Sequence, residues 1–372
     1  LKAQGVWDQT LFITIVGDNG ASGEGGLKGS GSYMGAIQGM PETDAIRLAE
    51  VERMGGAGTY PHYAAGWAWA MNAPFPWMKT VASHLGATRN GMVVSWPQGI
   101  AQPGGLRSQF GHVNDIAPTI LEAAHIAAPA TVNGIAQKPI DGTSMVYSFN
   151  DPAAPERHHT QYFEVFGHRA LYHDGWMASA FHTRLPWAGI TTSRKTFDQD
   201  TWELYDLTRD FSQAHDLAGR EPARLAEMKQ LFLTEAARNQ VLPLENVTTP
   251  DHPGLPSLVA GRKRISYGPG AGGIPESALP RIFNASYSVT ARVAVVGKAQ
   301  GVVAALGGSS AGWALWLDAT GHPVLSYRLF NIAALALRGP ARLAPGRHAL
   351  RYDFVYDAPG YAKGGTVRLS VD

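Results

Sequence analysis

The sequence predicts an α/β domain over residues 1–155 and a small antiparallel sheet-plus-helix subdomain over 156–250. A linker over 251–280 and a truncated β-sandwich-like region over 281–372 complete the chain. Three observations carry this reading. Buried-type strand runs alternate with helical spacing in the first part. Short strand runs separated by turns, followed by one amphipathic helix, make up the second. Strict polar/apolar alternation with intervening turn signals dominates the last.

In the first part, Leu11-Phe-Ile-Thr-Ile-Val16 is a nearly continuous apolar run. Such a run fits a strand covered on both faces, as in a central sheet flanked by helices. It ends in the turn Gly17-Asp18-Asn19-Gly20, and a Gly-rich loop extends to Gly39. Residues 42–54 read as a helix closed by Gly55-Gly56. Gly91–Trp96 reads as a second short buried strand, and Ile116, Ile120, Ala123 and Ala124 have helical spacing, with Pro118 near the first turn. In the second part, Phe163–Phe166, Arg169–His173, Trp176–Phe181 and Trp202–Tyr205 are the strand runs. The helix spans Pro222–Ala237, with Leu225, Met228, Phe232 and Ala236 on one face. The linker carries Gly268–Pro275. Beyond it, Ser288–Val296, Trp313–Leu317 and Leu350–Tyr356 alternate as strands, and the chain stops within another such pattern, Thr366–Asp372.

Composition excludes several functions. Lys and Arg number 31 and Asp and Glu 30, for a net charge of +1. Residues 1–150 hold 8 basic and 10 acidic residues, so neither a basic nucleic-acid face nor a polybasic membrane patch is expected. There is no Cys, which removes disulfides, Cys-ligated zinc, Fe–S clusters and Cys-derived nucleophiles from these residues. The uncharged stretches Met54–Met78 and Ala299–Leu317 are broken by Gly and polar residues, so neither reads as a membrane span.

Several motifs bear on chemistry. Asp18-Asn19 directly after a strand offers a carboxylate and an amide oxygen, hard donors suited to Ca²⁺ or Mg²⁺; Asp-Asn-Gly is also an ordinary turn. The Gly-rich loop fails the dinucleotide and P-loop fingerprints and reads as a flexible active-site loop. Gly308-Ser-Ser310-Ala-Gly312 has the form of a nucleophile elbow but falls among strands, where a β-turn is expected. Five His between His158 and His182 lack ligand spacing and read as scattered half-buried or surface residues. Lys79, alone in an apolar and aromatic stretch, can meet an anion as a compact point charge. The same pattern fits a Lys whose stem lies along apolar surface with its head in water.

Five elements stand in a particular order: the strand ending in Asp18-Asn19-Gly20, Lys79…Gly86…Arg89, Ser95-Trp96-Pro97, His112-Val-Asn-Asp115-Ile-Ala-Pro118-Thr119, and Trp202-Glu-Leu-Tyr-Asp206-Leu-Thr-Arg-Asp210. Together they resemble the later part of a bacterial arylsulfatase, a member of the sulfatase family within the alkaline-phosphatase-like superfamily. The resemblance covers residues 10–240 well. Residues 280–372 resemble, less specifically, the β-rich extension of a bacterial subfamily. The resemblance implies a partial alkaline-phosphatase-like sheet with flanking helices. It implies that Asp18 and Asn19 are divalent-metal ligands, usually for Ca²⁺, with Mg²⁺ as the alternative. It implies that Lys79 contacts the sulfate of a small-molecule sulfate ester. His84 aligns with no family residue and receives no catalytic role.

The family nucleophile is a formylglycine made from Cys or Ser in a Cys/Ser-x-Pro-x-Arg motif. The nearest match here is Ser95-Trp-Pro97-Gln-Gly99, which lacks the Arg and follows the Asp-Asn turn rather than preceding it, so Ser95 is not the nucleophile. By this resemblance the nucleophile and half of the metal site belong to a missing N-terminal half, and the chain alone is inactive. Two further functions stay open: a phosphoric ester or phosphonate hydrolase of the same superfamily, and a non-catalytic scaffold or glycan-binding protein. In the last, Trp67, Trp69 and Trp77 form a recognition surface; in an enzyme they suit the wall of an aryl pocket. Asn246-Val-Thr and Asn284-Ala-Ser match the glycosylation pattern. The sequence leaves oligomeric state open and fits a bacterial cytoplasm or periplasm equally.

Overall fold

The computed structural model describes all residues except 38–39, 41, 57–58, 189–194, 246–256, 309–310, 331–332 and 361–362. Ser310 of the elbow-like motif and the Asn246 sequon lie outside the described residues. The fold is mixed α/β, and the chain divides into two units with interleaved segments. One comprises Leu1–Leu27 and Ala64–Thr248, the other Lys28–Tyr63 and Thr249–Asp372.

In the first unit, β1 (Phe12–Val16) pairs antiparallel with β2 (Gly91–Ser95), with Phe12 opposite Ser95 and Val16 opposite Gly91. Both strands form where expected, but their expected two-sided burial is not found. Phe12 is 49% exposed, Val16 69% and Val93 63%. The reason is the size of the sheet: among the described residues no third strand joins this ribbon, and two strands cannot cover their own faces. β3 (Thr131–Val132) and β4 (Ile135–Ala136) form a small exposed hairpin around Asn133-Gly134, both at positive φ.

The antiparallel subdomain is β5 (Thr160–Val165), β6 (His168–His173), β7 (Trp176–Ala180) and β8 (Trp202–Asp206), in the order β5-β6-β7-β8. Two-residue turns set its register. Phe166-Gly167 and Asp174-Gly175 have φ of 54 and 83°, and 45 and 81°. Positive φ at both central residues gives the turn twist that matches flanking strands. The helix Pro222–Arg238 begins with Pro at its first turn, where a missing N–H costs nothing. Met228, Phe232 and Ala236, four apart, share one face and pack on Leu171, Ala178 and Leu204 of the sheet; Leu225 joins them, partly buried.

In the second unit, β9 (Tyr287–Val295), β10 (Gly301–Gly307), β11 (Ala311–Leu317), β12 (Pro323–Leu329), β13 (Ala333–Arg338), β14 (Gly346–Tyr356) and β15 (Gly365–Val371) form two antiparallel sheets. Their orders are β10-β11-β12-β13 and β15-β14-β9. Leu315 and Leu317 from one sheet and Leu350 from the other share a core with Val293, Val303 and Leu369, the arrangement of a sandwich. The uncharged stretch Ala299–Leu317 supplies β10 and β11, and no described helix is long and apolar enough to cross a membrane. The helix expected over 42–54 is α-helical over Asp44–Glu50 and 3₁₀ over Val51–Arg53. Thr43 Oγ caps it by accepting from Ile46 N, and Gly55 ends it at φ 83°. The far part of the Gly-rich loop is held within this unit, where Ser32 Oγ donates to the Phe330 carbonyl at 2.6 Å.

The core of the antiparallel subdomain is testable. Phe232 is almost fully buried against Trp202. Phe232→Ala is expected to cost about 3–5 kcal/mol, read as a fall in the denaturation midpoint with an unchanged denaturant slope.

Candidate active site

The Asp18-Asn19 turn is built by a close backbone approach. Gly17, at φ 83°, turns the chain out of β1. Gly20 N then donates to the Ala87 carbonyl at 2.8 Å. A Cβ on Gly20 would fall 1.7 Å from the Gly86 carbonyl oxygen, and one on Gly86 would fall 2.3 Å from the Pro76 and Trp77 carbonyls. Only glycine fits at either place. Asn72 locks the clasp from the side: its Oδ1 accepts from Ala21 N at 2.9 Å and its Nδ2 donates to the Trp77 carbonyl at 3.2 Å. Asp18 and Asn19 line a broad open cavity together with Thr80, Arg89 and His112. Among the described residues, neither the Asp18 nor the Asn19 side chain has a hydrogen-bond or ion-pair partner. A free carboxylate and a free amide oxygen on adjacent residues fit a hard divalent cation, as part of the six to eight oxygens that Ca²⁺ takes.

Lys79 is delivered to the same clasp. Its backbone N donates to the Ala21 carbonyl at 3.1 Å. Trp77 and Thr80, on either side, both sit at positive φ, 66 and 80°. A β-branched residue there is strained, and such strain persists only where neighbours fix it. Met78 and Val81 are fully buried, and the Trp77 ring stacks on Phe181 at 4.4 Å. The Lys79 ammonium lies 2.8 Å from Glu24 Oε2. The Lys79 backbone is thus tied to Ala21, three residues after Asp18, while Lys79 is not among the residues that line the cavity of Asp18 and Asn19.

His84, five residues on, is buried. Its Nε2 lies 2.8 Å from Glu203 Oε2 and its Nδ1 2.8 Å from Ser83 Oγ. Tyr205 also donates to Glu203 Oε2, at 3.1 Å. Burial alone would raise the Glu203 carboxyl; the His84 ring and the Tyr205 hydroxyl outweigh it and hold the group low. The Trp202–Asp206 signature is therefore the β8 strand, whose Glu203 anchors the segment after Lys79.

The His112–Thr119 motif is a structural knot. The Asp115 carboxylate accepts from His112 N and Thr143 N and pairs with His158 Nδ1 at 2.8 Å. Thr119 Oγ donates to the Asp115 carbonyl and accepts from Met145 N. The His-rich stretch is more ordered than expected, since His158, His168 and His182 are buried. His182 Nδ1 pairs with Asp200, which also holds Arg169 at 2.7 Å. His168 accepts from His182 N, and its burial, with His182 next, pushes its pKa down to about 4. His159 and Asp174 are exposed and, with Glu156, place ligand atoms within 4.8 Å of one another. Hydrogen bonds already engage these groups: His159 to Asp174, and Glu156 to Tyr172 Oη and Phe110 N. Ser95 is the last residue of β2, opposite Phe12.

Sequence reasoning did not single out Glu24, Glu203 or the capping role of Asp115. A signal existed for the first: Glu24 is the one acidic residue between Asp18 and Glu42.

Residues 1–126 match the sulfatase family. That segment contains the Asp18-Asn19 turn, the clasp, Lys79 and the Asp115 knot. An uncharacterised sulfatase of Schizosaccharomyces pombe is 28% identical over 262 residues, covering 68% of this chain and 41% of its own. Among solved structures, Ps i-CgsB is 19% identical with a TM-score of 0.39, covering 67% of this chain and 41% of that one. A structure from work on glycosaminoglycan metabolism by Bacteroides thetaiotaomicron is 14% identical with a TM-score of 0.41, covering 64% and 41%. The chain therefore spans about two fifths of the length of each of these proteins.

The knot predicts a pH signature. Burial would raise the Asp115 carboxyl, but the His158 ring and two backbone N–H groups hold it below its ordinary 3.8. Its contribution to stability is present above pH 3.8 and is lost as pH falls through the lower folded value. His158 is the mirror case. Burial would lower it, Asp115 raises it above 6.5, and its contribution is present below pH 6.5 and lost as pH rises through the folded value. Asp115→Asn is expected to cost about 1.5–3 kcal/mol between those limits and to flatten both slopes in unfolding curves measured against pH.

Proposed function

We propose that this chain is the later part of a metal-dependent arylsulfatase hydrolysing sulfate esters of small molecules. The observation that carries the reading is the clasp between residues 18–21 and 72–87. It joins two free hard-oxygen side chains to a loop that is hydrogen-bonded to the backbone of Lys79. Sulfate-ester hydrolysis places negative charge on the non-bridging and leaving oxygens in its transition state, and cationic groups fixed in advance stabilise that charge. Asp18 and Asn19 would contribute oxygens to a divalent cation, Ca²⁺ or Mg²⁺, which supplies Lewis acidity toward a sulfate oxygen. Lys79 would donate to the sulfate from a stem whose backbone is already tied in place. The pair of buried His84 and half-buried Glu203 holds the segment behind Lys79 to β8.

The match to the sulfatase family over residues 1–126 supports this reading. The 372 residues contain no Cys/Ser-x-Pro-x-Arg segment, and the chain spans 41% of its fungal relative. Both facts support a nucleophile, a formylglycine in this family, supplied by polypeptide outside these residues. The stacked Trp77 and Phe181 rings next to Lys79 suit an aromatic leaving group.

A chromogenic aryl sulfate assay tests the proposal. The 372-residue chain is expected to release nothing, and the parent polypeptide to release sulfate until a chelator is added. Lys79→Ala in that parent should lower kcat/KM by about 10²–10³-fold, the usual loss on removing one charge-stabilising donor. Asp18→Ala should weaken Ca²⁺ binding in titration calorimetry. Turnover by the isolated chain, or preference of the parent for a phosphate over a sulfate ester, would replace the reading.

A further inference from the structure

We propose that Glu24 is the positioning residue for the Lys79 ammonium, holding it extended and aimed for a sulfate oxyanion. The inference rests on the reading of Lys79 as the anion-contacting group. A lysine stem has four rotatable bonds, and its compact, strongly hydrated charge is not directional of itself. Here two independent ties fix it. The Ala21 carbonyl holds the Lys79 backbone, and Glu24 Oε2, three residues further along the same loop, holds Nζ at 2.8 Å.

Glu24 is itself fixed. Ser22 Oγ donates to the same Oε2 at 3.0 Å and accepts from Glu24 N at 3.3 Å. The loop thus closes on itself before it reaches the lysine. Lys79 and Glu24 side chains are 35% and 22% exposed, so the pair is partly shielded and screened less than a surface ion pair. An ammonium has three donors, and a carboxylate on one leaves two for an anion. Gly23 keeps this loop close to its neighbours: a Cβ there would fall 2.5 Å from Met78 Sδ. Met78 is the residue before Lys79, so loop and lysine segment are in register at consecutive points.

The test titrates inorganic sulfate into the 372-residue chain by calorimetry at fixed ionic strength, with thermal unfolding of each variant alongside. Glu24→Ala should weaken sulfate binding about fivefold, the equivalent of about 1 kcal/mol for a partly exposed pair. Glu24→Gln, whose amide oxygen can still accept from Nζ, should recover most of that loss. In the Lys79→Ala background, Glu24→Ala should have no further effect on sulfate binding. A purely structural Glu24 would lower the melting temperature in both variants and leave sulfate binding unmoved, which overturns the proposal. Tighter sulfate binding in both Glu24 variants would make Glu24 a competitor of the anion and overturn it equally. Undiminished sulfate binding in Lys79→Ala would instead overturn the reading of Lys79 while leaving the geometry of the pair intact.

Discussion

The whole candidate site hangs on one steric constraint, the contact of two backbones at Gly20 and Gly86. No side chain fits between them, and the carbonyl of Gly86 stands where a Cβ of residue 20 would be. From that contact follow the Gly20–Ala87 and Ala21–Lys79 hydrogen bonds and the bracing of both strands of chain by Asn72. Residues 58 apart in sequence, Ala21 and Lys79, are brought into hydrogen-bond contact by glycines that carry no chemistry of their own. The strain at Trp77 and Thr80 is the cost of this geometry, offset by the full burial of Met78 and Val81 on the same segment.

Around the clasp, buried and half-buried charge is used for rigidity. Asp115, Asp200 and Glu203 each gather a histidine and one or more further donors. Each would be costly to bury alone, and each is surrounded by enough donors to remain ionised. These three acidic hubs, Asp115 on one segment and Asp200 and Glu203 at the start of β8 on another, tie loops of the chain to one another. The sulfatase-matching segment ends shortly after the first hub, and the other two lie in the antiparallel subdomain.

Much of this was legible in the sequence where periodicity is local. The four strands of the β5–β8 sheet and the helix Pro222–Arg238 follow from alternation, two-residue turns and a four-residue apolar stripe. The strand before Asp18-Asn19-Gly20 was equally plain. Its burial was not, because an apolar run reports what a strand can bury and is silent about which elements cover it. The order of the five motifs pointed to the sulfatase family, while the work done by individual residues within them stayed hidden. Glu203 looks like a surface position in an alternating strand until His84, 119 residues earlier, is found against it. Lys79 can be read as an anion contact or as a surface lysine, and its partner in the structure, Glu24, stands 55 residues away in the chain. β10 and β13 are not legible as strands because runs of Ala, Val and Leu with few polar residues show little alternation, and β12 opens on a Pro with adjacent Val and Leu that break the two-residue period.

The interleaving of the two units has a topological consequence. The chain passes from one unit to the other at residues 27/28, 63/64 and 248/249. A single cut in the Pro- and Gly-rich stretch after residue 250 therefore releases the β9–β15 sheets from their covalent tether without releasing residues 28–63, which stay spliced into the other unit. Neither unit is a contiguous cassette. A shortened gene ending near residue 250 would encode the clasp, Lys79 and all three acidic hubs, together with a 36-residue excursion deprived of the sheets it belongs to. To obtain the first unit cleanly, the excursion must be replaced by a short bridge between Leu27 and Ala64, a redesign rather than a truncation.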